Sequence, residues 1–458
     1  MARQYSQGDR AREIYVRYHV DNRNGFVPLR LPLPRLPNSW ELWEATLDAA
    51  RSAKLRHAEH LLLLDGPEMA AEEERARVWR EAVEKMPILS TDNLVGNEME
   101  LRRAHHVLAF IVQFYAHTIS LNHPIAIPRS VAIPLLRISK ELRQAPFLTY
   151  FDHALNNWSL IEARNDATPI ESDNLVSQTT FTGTSDENEL YMIDIRLELE
   201  GARALEQLRL ITEEVTSTRE PDAGRIADHL HRVALAIEKA TEVLRTTPQL
   251  VSPQAFYHDI SPWLRGPNLD PSARVWTWEG SEEVEDAAEM LTRTNSPNAG
   301  QSPLIPAIDA YLGVEEDDSK RAFINRVLPY MLHGHAEYIQ HLRSNGCPVR
   351  SFVERMREET GPSSPVVAAY NAATGSLTAF RTAHLTIISQ YILIPARKAE
   401  GRAKYRGDGA TAPDNVPSTS TNVETLLNKS VDETSSGGDP LMKYLKGFRD
   451  GTGRASII

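Results

Sequence analysis

Between Ser364 and Pro395 the chain carries the stretch that most constrains its architecture. Ser363 and Ser364 precede Pro365, a capping residue followed by proline at the first helical position, which starts a helix. Pro395 is expected to close it. About 30 residues of helix extend roughly 45 Å, long enough to cross a whole domain. Its last turns, FRTAHLTIISQYILIPA (380–396), are almost wholly apolar, so this helix is read as central.

The rest of the pattern is also helical. Leu197, Gly201, Ala204, Leu208 and Ile211 recur at gaps of 4, 3, 4 and 3, and Ile226, Leu230, Val233, Ile237, Ala240 and Leu244 do the same. Over 70–86 the pair Glu73/Arg77 at i,i+4 marks a solvated face. Residues 17–40, with LRLPLPRLP, read as extended chain covering a surface. The clearest strand signal is VSQTTFTGT (176–184). A chain of 458 residues exceeds one ordinary core. The expected class is therefore mainly α: a small, mostly helical N-terminal domain with minor strands (1–180) and a large all-helical domain (187–458). The Asp-, Ser- and Thr-rich stretch 165–188 is the expected boundary. Residues 400–439 lose the helical period and read as a mobile loop or lid, before PLMKYLKGF resumes as a short helix.

Charge excludes one class of function. With 62 acidic and 50 basic side chains the net charge is −12, without the basic stripe of a nucleic-acid binder. One cysteine, Cys347, rules out a disulfide framework and a Cys-based zinc site, and fits a reducing, cytoplasmic compartment. The N-terminus has no signal-peptide pattern. The longest charge-free run, Val107–Pro128, contains Gln113, His117 and His123 and reads as a buried helix followed by a loop, not a membrane span.

Nucleotide-binding and serine-hydrolase motifs are missing. HGH (333–335) with His341 invites a metal reading, but the spacing fits no common site, and packing or surface histidines are the alternative. His384 is different. Arg381 lies three residues earlier on the same helical face, and Phe380, Ile387, Ile388 and Tyr391 surround the imidazole with apolar surface. Haem suits such a slot: a flat apolar face, an iron needing an axial nitrogen, and propionates needing a cation. An ordinary core histidine with satisfied nitrogens remains open on these residues alone.

The chain resembles the indoleamine 2,3-dioxygenase family, cytosolic haem enzymes that open the indole ring of tryptophan with O2. The resemblance runs nearly end to end. It is carried by YHVDNRNGFVP (18–28), VEKMPILSTDNL (83–94), RSVAIPLLRISKEL (129–142), PFLTYFDHALNNW (146–158), SPQAFY (252–257), NAGQSPLIPAIDAYLGV (298–314), the His384 segment and GGDPLMKYLKGF (437–448). It implies one haem b between the two domains, with His384 as iron ligand, Arg381 paired with a propionate, and Asp309 biasing the orientation of His384. It also implies a monomer with neither nucleic-acid nor membrane partner, using O2 and a small indole or aromatic amine.

The substrate side departs from the family. Where the family has an arginine for the substrate carboxylate, AFYHDISPWLRG has Ser261, with Arg265 four residues on as a compensating cation if the segment shifts. Where a phenylalanine and a serine face the iron, ELYMIDIRLELEG gives Leu190 and Asp194. His153 replaces a small residue, and SSGGD puts Asp439 after Gly438 where a loop threonine belongs. Tyr150 and Phe256 are kept, and Ala299 lies in the retained NAGQ block.

Three functions follow. The first inserts O2 into a tryptophan-type indole and opens the ring to an N-formylkynurenine-type product, the protein supplying orientation and exclusion of water. The second is a biosynthetic haem enzyme of the same fold acting on a carboxylate-free or amine substrate, with His153 and Asp194 as acid and base and Ser261 beside them. The third is a non-catalytic haem-binding protein.

Overall fold

In chain order the principal helices are α1 (Glu41–Ser52), α2 (Gly66–Lys85), α3 (Glu98–His117), α4 (Arg129–Leu142), α5 (Ser185–Ser217), α6 (Ala223–Arg245), α7 (Leu304–Leu312), α8 (Asp318–Val327), α9 (His333–Ser344), α10 (Pro348–Thr360), α11 (Pro365–Ile388) and α12 (Asp439–Arg454). A computed structural model of the protein describes residues 13–14, 16–163, 170–171, 173–314, 318–398 and 439–457. The expected lid at 400–439 lies outside them except for Asp439, the first residue of α12, whose side chain is not described. No described helix is long and apolar enough to cross a membrane.

The mainly α class is as expected. The strands have three residues each. β1 (Ile125–Ile127) pairs in parallel with β4 (Trp276–Trp278), and β2 (Trp158–Leu160) pairs antiparallel with β3 (Leu175–Ser177). The strand expected over 176–184 is thus confined to its first residues. The backbone amides at the start of Thr179–Thr182 turn to side chains instead: Asn157 Oδ1 accepts from Thr179, and the Glu187 carboxylate accepts from Phe181 and Thr182.

The chain forms two compact units of interleaved segments. The first comprises residues 1–202, 259–307 and 324–345, and the second residues 203–258, 308–323 and 346–458. The stretch 180–187 lies in the first unit, and the change of unit in this part of the chain falls inside α5 (Ser185–Ser217), between Ala202 and Arg203.

In the first unit α3 is the core helix. Asn97 caps it, accepting from the Glu100 amide at 3.4 Å, and nearly every side chain from Leu101 to His117 is buried. Each large apolar side chain taken out of water contributes about 1.5–3 kcal/mol. Trp43, Trp79, Phe110, Phe114, Phe181 and Trp263 pack here, with Phe181 stacked on Trp263 at 5.3 Å. The charge-free run is indeed a buried helix, then a loop leading into β1.

In the second unit α11 packs chiefly along α6, with α10 and α12 also against it. On α6 the six residues singled out by period are all buried. On α11, Val366, Ala369, Tyr370, Ala373, Leu377 and Phe380 are buried. Two details differ from expectation. Pro395 does not end the helix: a π-helical turn at Ser389–Leu393 precedes it, and helix continues through residue 398. The wider turn accommodates a residue that has no N–H to donate and whose ring crowds the carbonyl one turn back. On α2, Glu73 pairs with Arg80 at 2.9 Å, while Arg77 pairs with Glu74 and Glu81.

Gly201 on α5 is a close-approach residue. A Cβ there would lie 2.3 Å from Leu304 Cδ2. Gly201→Ala should therefore destabilise by about 1–3 kcal/mol through overpacking, although alanine is by itself the better helix former. Combining it with Leu304→Ala should remove most of the overpacking penalty. Thermal unfolding of the single and double variants checks this; a single variant as stable as wild type overturns it.

Candidate functional site

Two clusters of buried polar groups stand out, one in each unit. The second unit holds His384, Arg381 and Asp309. His384 and Arg381 sit one turn apart on α11, so both project from one face. Arg381 is buried; its Nη2 donates to Asp309 Oδ2 at 2.5 Å and its Nη1 to the Phe448 carbonyl at 3.1 Å. Lys320 Nζ lies 3.0 Å from the same Asp309 oxygen. Burial pushes the Asp309 pKa up, but the charges of Arg381 and Lys320 outweigh it and hold the carboxyl below its ordinary value. Asp309 Oδ1 has no hydrogen-bond partner among the described residues.

His384 is half-buried, and neither of its nitrogens is hydrogen-bonded to a described residue. Burial, reinforced by the Arg381 charge, lowers its pKa to about 4. At neutral pH the ring is an uncharged imidazole with a free lone pair, the form that ligates a metal. The core reading requires satisfied nitrogens, and no described residue bonds to either one. Asp309 reaches Arg381 and Lys320 rather than His384, so any bias on the imidazole acts through Arg381. Arg381 and Lys320 thus share the one Asp309 oxygen. These features fit haem: a nitrogen for iron at His384 and positive charge for the acidic edge at Arg381. Nearby in the chain, Phe256 is half-buried and meets Tyr391 edge-on at 5.7 Å, and the Tyr391 hydroxyl donates to the Val251 carbonyl.

The first unit holds His153, Asp194 and Tyr150. His153 lies on a π-helical turn, Phe151–Leu155. Its Nδ1 donates to the Thr149 carbonyl at 3.0 Å, which fixes the tautomer and leaves Nε2 as the outward acceptor. Nε2 lies 3.8 Å from Asp194 Oδ2, an electrostatic pairing too long for a direct hydrogen bond. The turn is anchored by Asp152, whose carboxylate meets His105 Nδ1 at 2.8 Å and Thr149 Oγ1 at 2.6 Å. Burial raises the Asp194 pKa, and His153 pulls it back part of the way.

Sequence reasoning missed Glu198. It lies one turn beyond Asp194 and two beyond Leu190 on α5, and that i,i+4,i+8 register was the available signal. Its Oε1 accepts from Ser302 Oγ at 2.5 Å and from the Tyr150 hydroxyl at 3.3 Å. Its Oε2 is buried without a partner among the described residues. Burial raises its pKa to about 8, with nearby Asp194 adding to the rise. Glu198 is therefore protonated at pH 7. The Tyr150 amide donates to Gln301 Oε1 at 2.9 Å, another contact not foreseen.

The other expected residues lie as follows. Leu190 is half-buried on α5. Ser261 is half-buried on a 3-10 turn, Ser261–Leu264, without a hydrogen bond to a described residue. Ala299 is exposed. Gly438 lies outside the described residues, as does the side chain of Asp439. Arg265 is not a free compensating cation: its guanidinium is paired with Glu59. The three histidines once weighed as a metal cluster take separate partners: His333 lies 3.3 Å from Glu337, His335 approaches the His19 carbonyl, and His341 meets Asn345. A cleft of about 400 Å³ in the first unit is lined by His19, Glu98, Arg102, Phe151 and His335, and shares only Phe151 with the π-helical turn.

The family model for indoleamine 2,3-dioxygenase matches residues 15–455. Indoleamine 2,3-dioxygenase 1 of Mus musculus is 26% identical over 98% of this chain and 97% of its own length. Indoleamine 2,3-dioxygenase of Saccharomyces cerevisiae is 26% identical over 96% of this chain and 93% of its own. Indoleamine 2,3-dioxygenase qulI of Penicillium citrinum is 29% identical over 86% of this chain and 84% of its own.

The Asp309 cluster sets a stability prediction. Asp309→Asn removes the anion that buried Arg381 and Lys320 share and should cost about 3–5 kcal/mol. Because the folded pKa lies below the ordinary 3.8, the wild-type advantage is fully present above that value and is lost as pH falls through the depressed folded value. Denaturant unfolding should show a constant gap between wild type and variant from about pH 8 to 5 that narrows only in strong acid. A gap that closes already near neutrality contradicts the ion cluster.

Proposed function

The chain belongs to the indoleamine 2,3-dioxygenase family, and from that premise we propose that it is a haem-dependent oxygenase that inserts O2 into an indole and opens the ring to an N-formylkynurenine-type product. The observation that carries this reading is His384, a neutral imidazole with no partner at either nitrogen among the described residues, one turn from a buried arginine. When bound, haem supplies the redox chemistry that joins O2 to the indole double bond. The protein's own groups hold and shield. His384 would give the iron a nitrogen ligand. Arg381, kept in place by Asp309 and the Phe448 carbonyl, would offer positive charge to the propionates. His153, held by Thr149, keeps Nε2 as a proton acceptor and can exchange a proton with Asp194.

The preferred substrate in this reading is an indole amine without a carboxylate. Ser261 offers no cation where the family has an arginine, and Arg265 is occupied by Glu59. The α5 face adds the carboxyl groups of Asp194 and Glu198, and each, once ionised, favours a cation: attraction between unit charges at ~4 Å is about 4 kcal/mol at an effective dielectric of 20. Ordinary L-tryptophan cleavage is the competing reading, favoured by the end-to-end family match.

Two expectations follow. His384→Ala should lose haem or change its Soret and ferrous–CO spectra while the apoprotein stays folded; an unchanged spectrum removes His384 as ligand. Wild type should have a higher kcat/KM for tryptamine than for L-tryptophan. Ser261→Arg with Asp439→Thr should shift the ratio toward L-tryptophan by about 10- to 150-fold, the worth of one charge-assisted contact. Turnover of L-tryptophan at least equal to that of tryptamine in wild type leaves the tryptophan reading standing.

A further inference from the structure

We propose that Asp194 and Glu198 together form the binding site for the substrate's ammonium group, Asp194 at the accessible end and Glu198 as a second acceptor that gives up its proton when the cation docks. The inference rests on the reading of the substrate as an amine and deepens it by naming the residues and the proton that accompany binding.

The geometry begins with helix register. Asp194 and Glu198 are four residues apart on α5, so their side chains stack on one face. Asp194 keeps about a fifth of its side-chain surface exposed, at 18%, whereas Glu198 is 1% exposed. Glu198 Oε1 is saturated by Ser302 and Tyr150. Its Oε2 has no partner among the described residues. A buried carboxyl with one unused oxygen is unfavourable in either state: protonated, its O–H finds no acceptor; ionised, its charge finds no cation. The torsion that orients a carboxyl is broad, so Glu198 can turn its unused oxygen toward a ligand. An ammonium supplies what is missing, several donors and a positive charge, and can bond Asp194 at the same time.

The surrounding titratable groups favour this occupant. Glu198 faces Asp194 on its own helix and the Tyr150 phenol from the segment preceding the π-helical turn. Asp194 faces His153, with Tyr191 beside it on α5. No lysine or arginine contributes to the shifted values of Asp194 or Glu198. The His153 imidazole lies 3.8 Å from Asp194 and does not contribute to the shifted value of Glu198. A carboxylate-bearing ligand would add a like charge here.

Glu198 carries its proton below about pH 8. Linkage then fixes the sign. A ligand that binds the ionised form must expel the proton below that pH, so affinity rises with pH and levels off once Glu198 is ionised in the free protein.

The test uses the haem-loaded ferric protein, which binds without turnover, and tryptamine as the probe. Calorimetry at pH 7 in two buffers of different ionisation enthalpy should report release of close to one proton per tryptamine. Affinity should strengthen roughly tenfold per pH unit from about pH 6 to 8, then flatten. Glu198→Gln should abolish the release, flatten the pH profile and weaken binding at pH 8.5 by at least about tenfold. Ser302→Ala removes a hydrogen bond that stabilises the ionised form, so its midpoint should move to higher pH. This variant carries the test if Glu198→Gln fails to retain a wild-type Soret band and melting temperature. Tryptamine binding without proton release, and with no midpoint change in Ser302→Ala, overturns the role of Glu198 while leaving the amine reading intact. L-Tryptophan binding with no tryptamine binding overturns the amine reading itself.

Discussion

The Asp309 carboxylate shared by Arg381 and Lys320 is the contact on which the second unit's chemistry turns. It joins residues from α7, α8 and α11 at one buried oxygen, and Arg381 extends the tie to α12 through the Phe448 carbonyl. Burying three charges is costly, and the cost is offset only where the geometry is held. That demand fixes the rotation of α11 about its axis. Once Arg381 is fixed, the residue one turn on is fixed too, and His384 presents its imidazole on the same face. The α6 stripe of Ile226, Leu230, Val233, Ile237, Ala240 and Leu244 supports the helix, but apolar packing tolerates small rotations that a 2.5 Å ion pair does not.

Much of this was legible from residue patterns. The period along α6 named its buried face correctly, and Ser364–Pro365 marked the start of α11 correctly. The end of α11 was not legible, because the π-helical turn that lets helix pass Pro395 is a backbone choice with no residue signature of its own. Register also failed on α2: Glu73 has Arg77 one turn away and Arg80 two turns away, and it pairs with Arg80 because Arg77 is shared between Glu74 and Glu81. Competition among neighbours decides such pairs, and spacing alone cannot rank them.

Within the site, residues defined by helix spacing were found and residues defined by long-range contact were not. Arg381 and His384 follow from i,i+3. Lys320 is 61 positions from Arg381 in the chain yet binds the same carboxylate, and Ser302 reaches Glu198 across a separation of 104. Glu198 itself was within reach, sharing its face with Leu190 and Asp194. It was passed over because glutamate on a helix is ordinarily a solvated residue, and only burial distinguishes it.

The two clusters are electrostatic opposites. In the second unit, Arg381 and Lys320 share one Asp309 oxygen, and the other has no hydrogen-bond partner among the described residues. In the first, the carboxyl groups of Asp194 and Glu198 stand on one helix face near the His153 imidazole, and Glu198 Oε2 has no partner among the described residues. Stability alone selects against both arrangements, since a hydrophobic replacement of similar size avoids the desolvation of each charge. A fold keeps such groups where an incoming partner completes them, and local rules fail first at functional sites. On the proposed reading, haem propionates would complete the Arg381 cluster beside His384, and a substrate amine would complete the carboxyl groups of Asp194 and Glu198. A change of charge on the α5 face would then alter ligand preference without touching the Asp309 network.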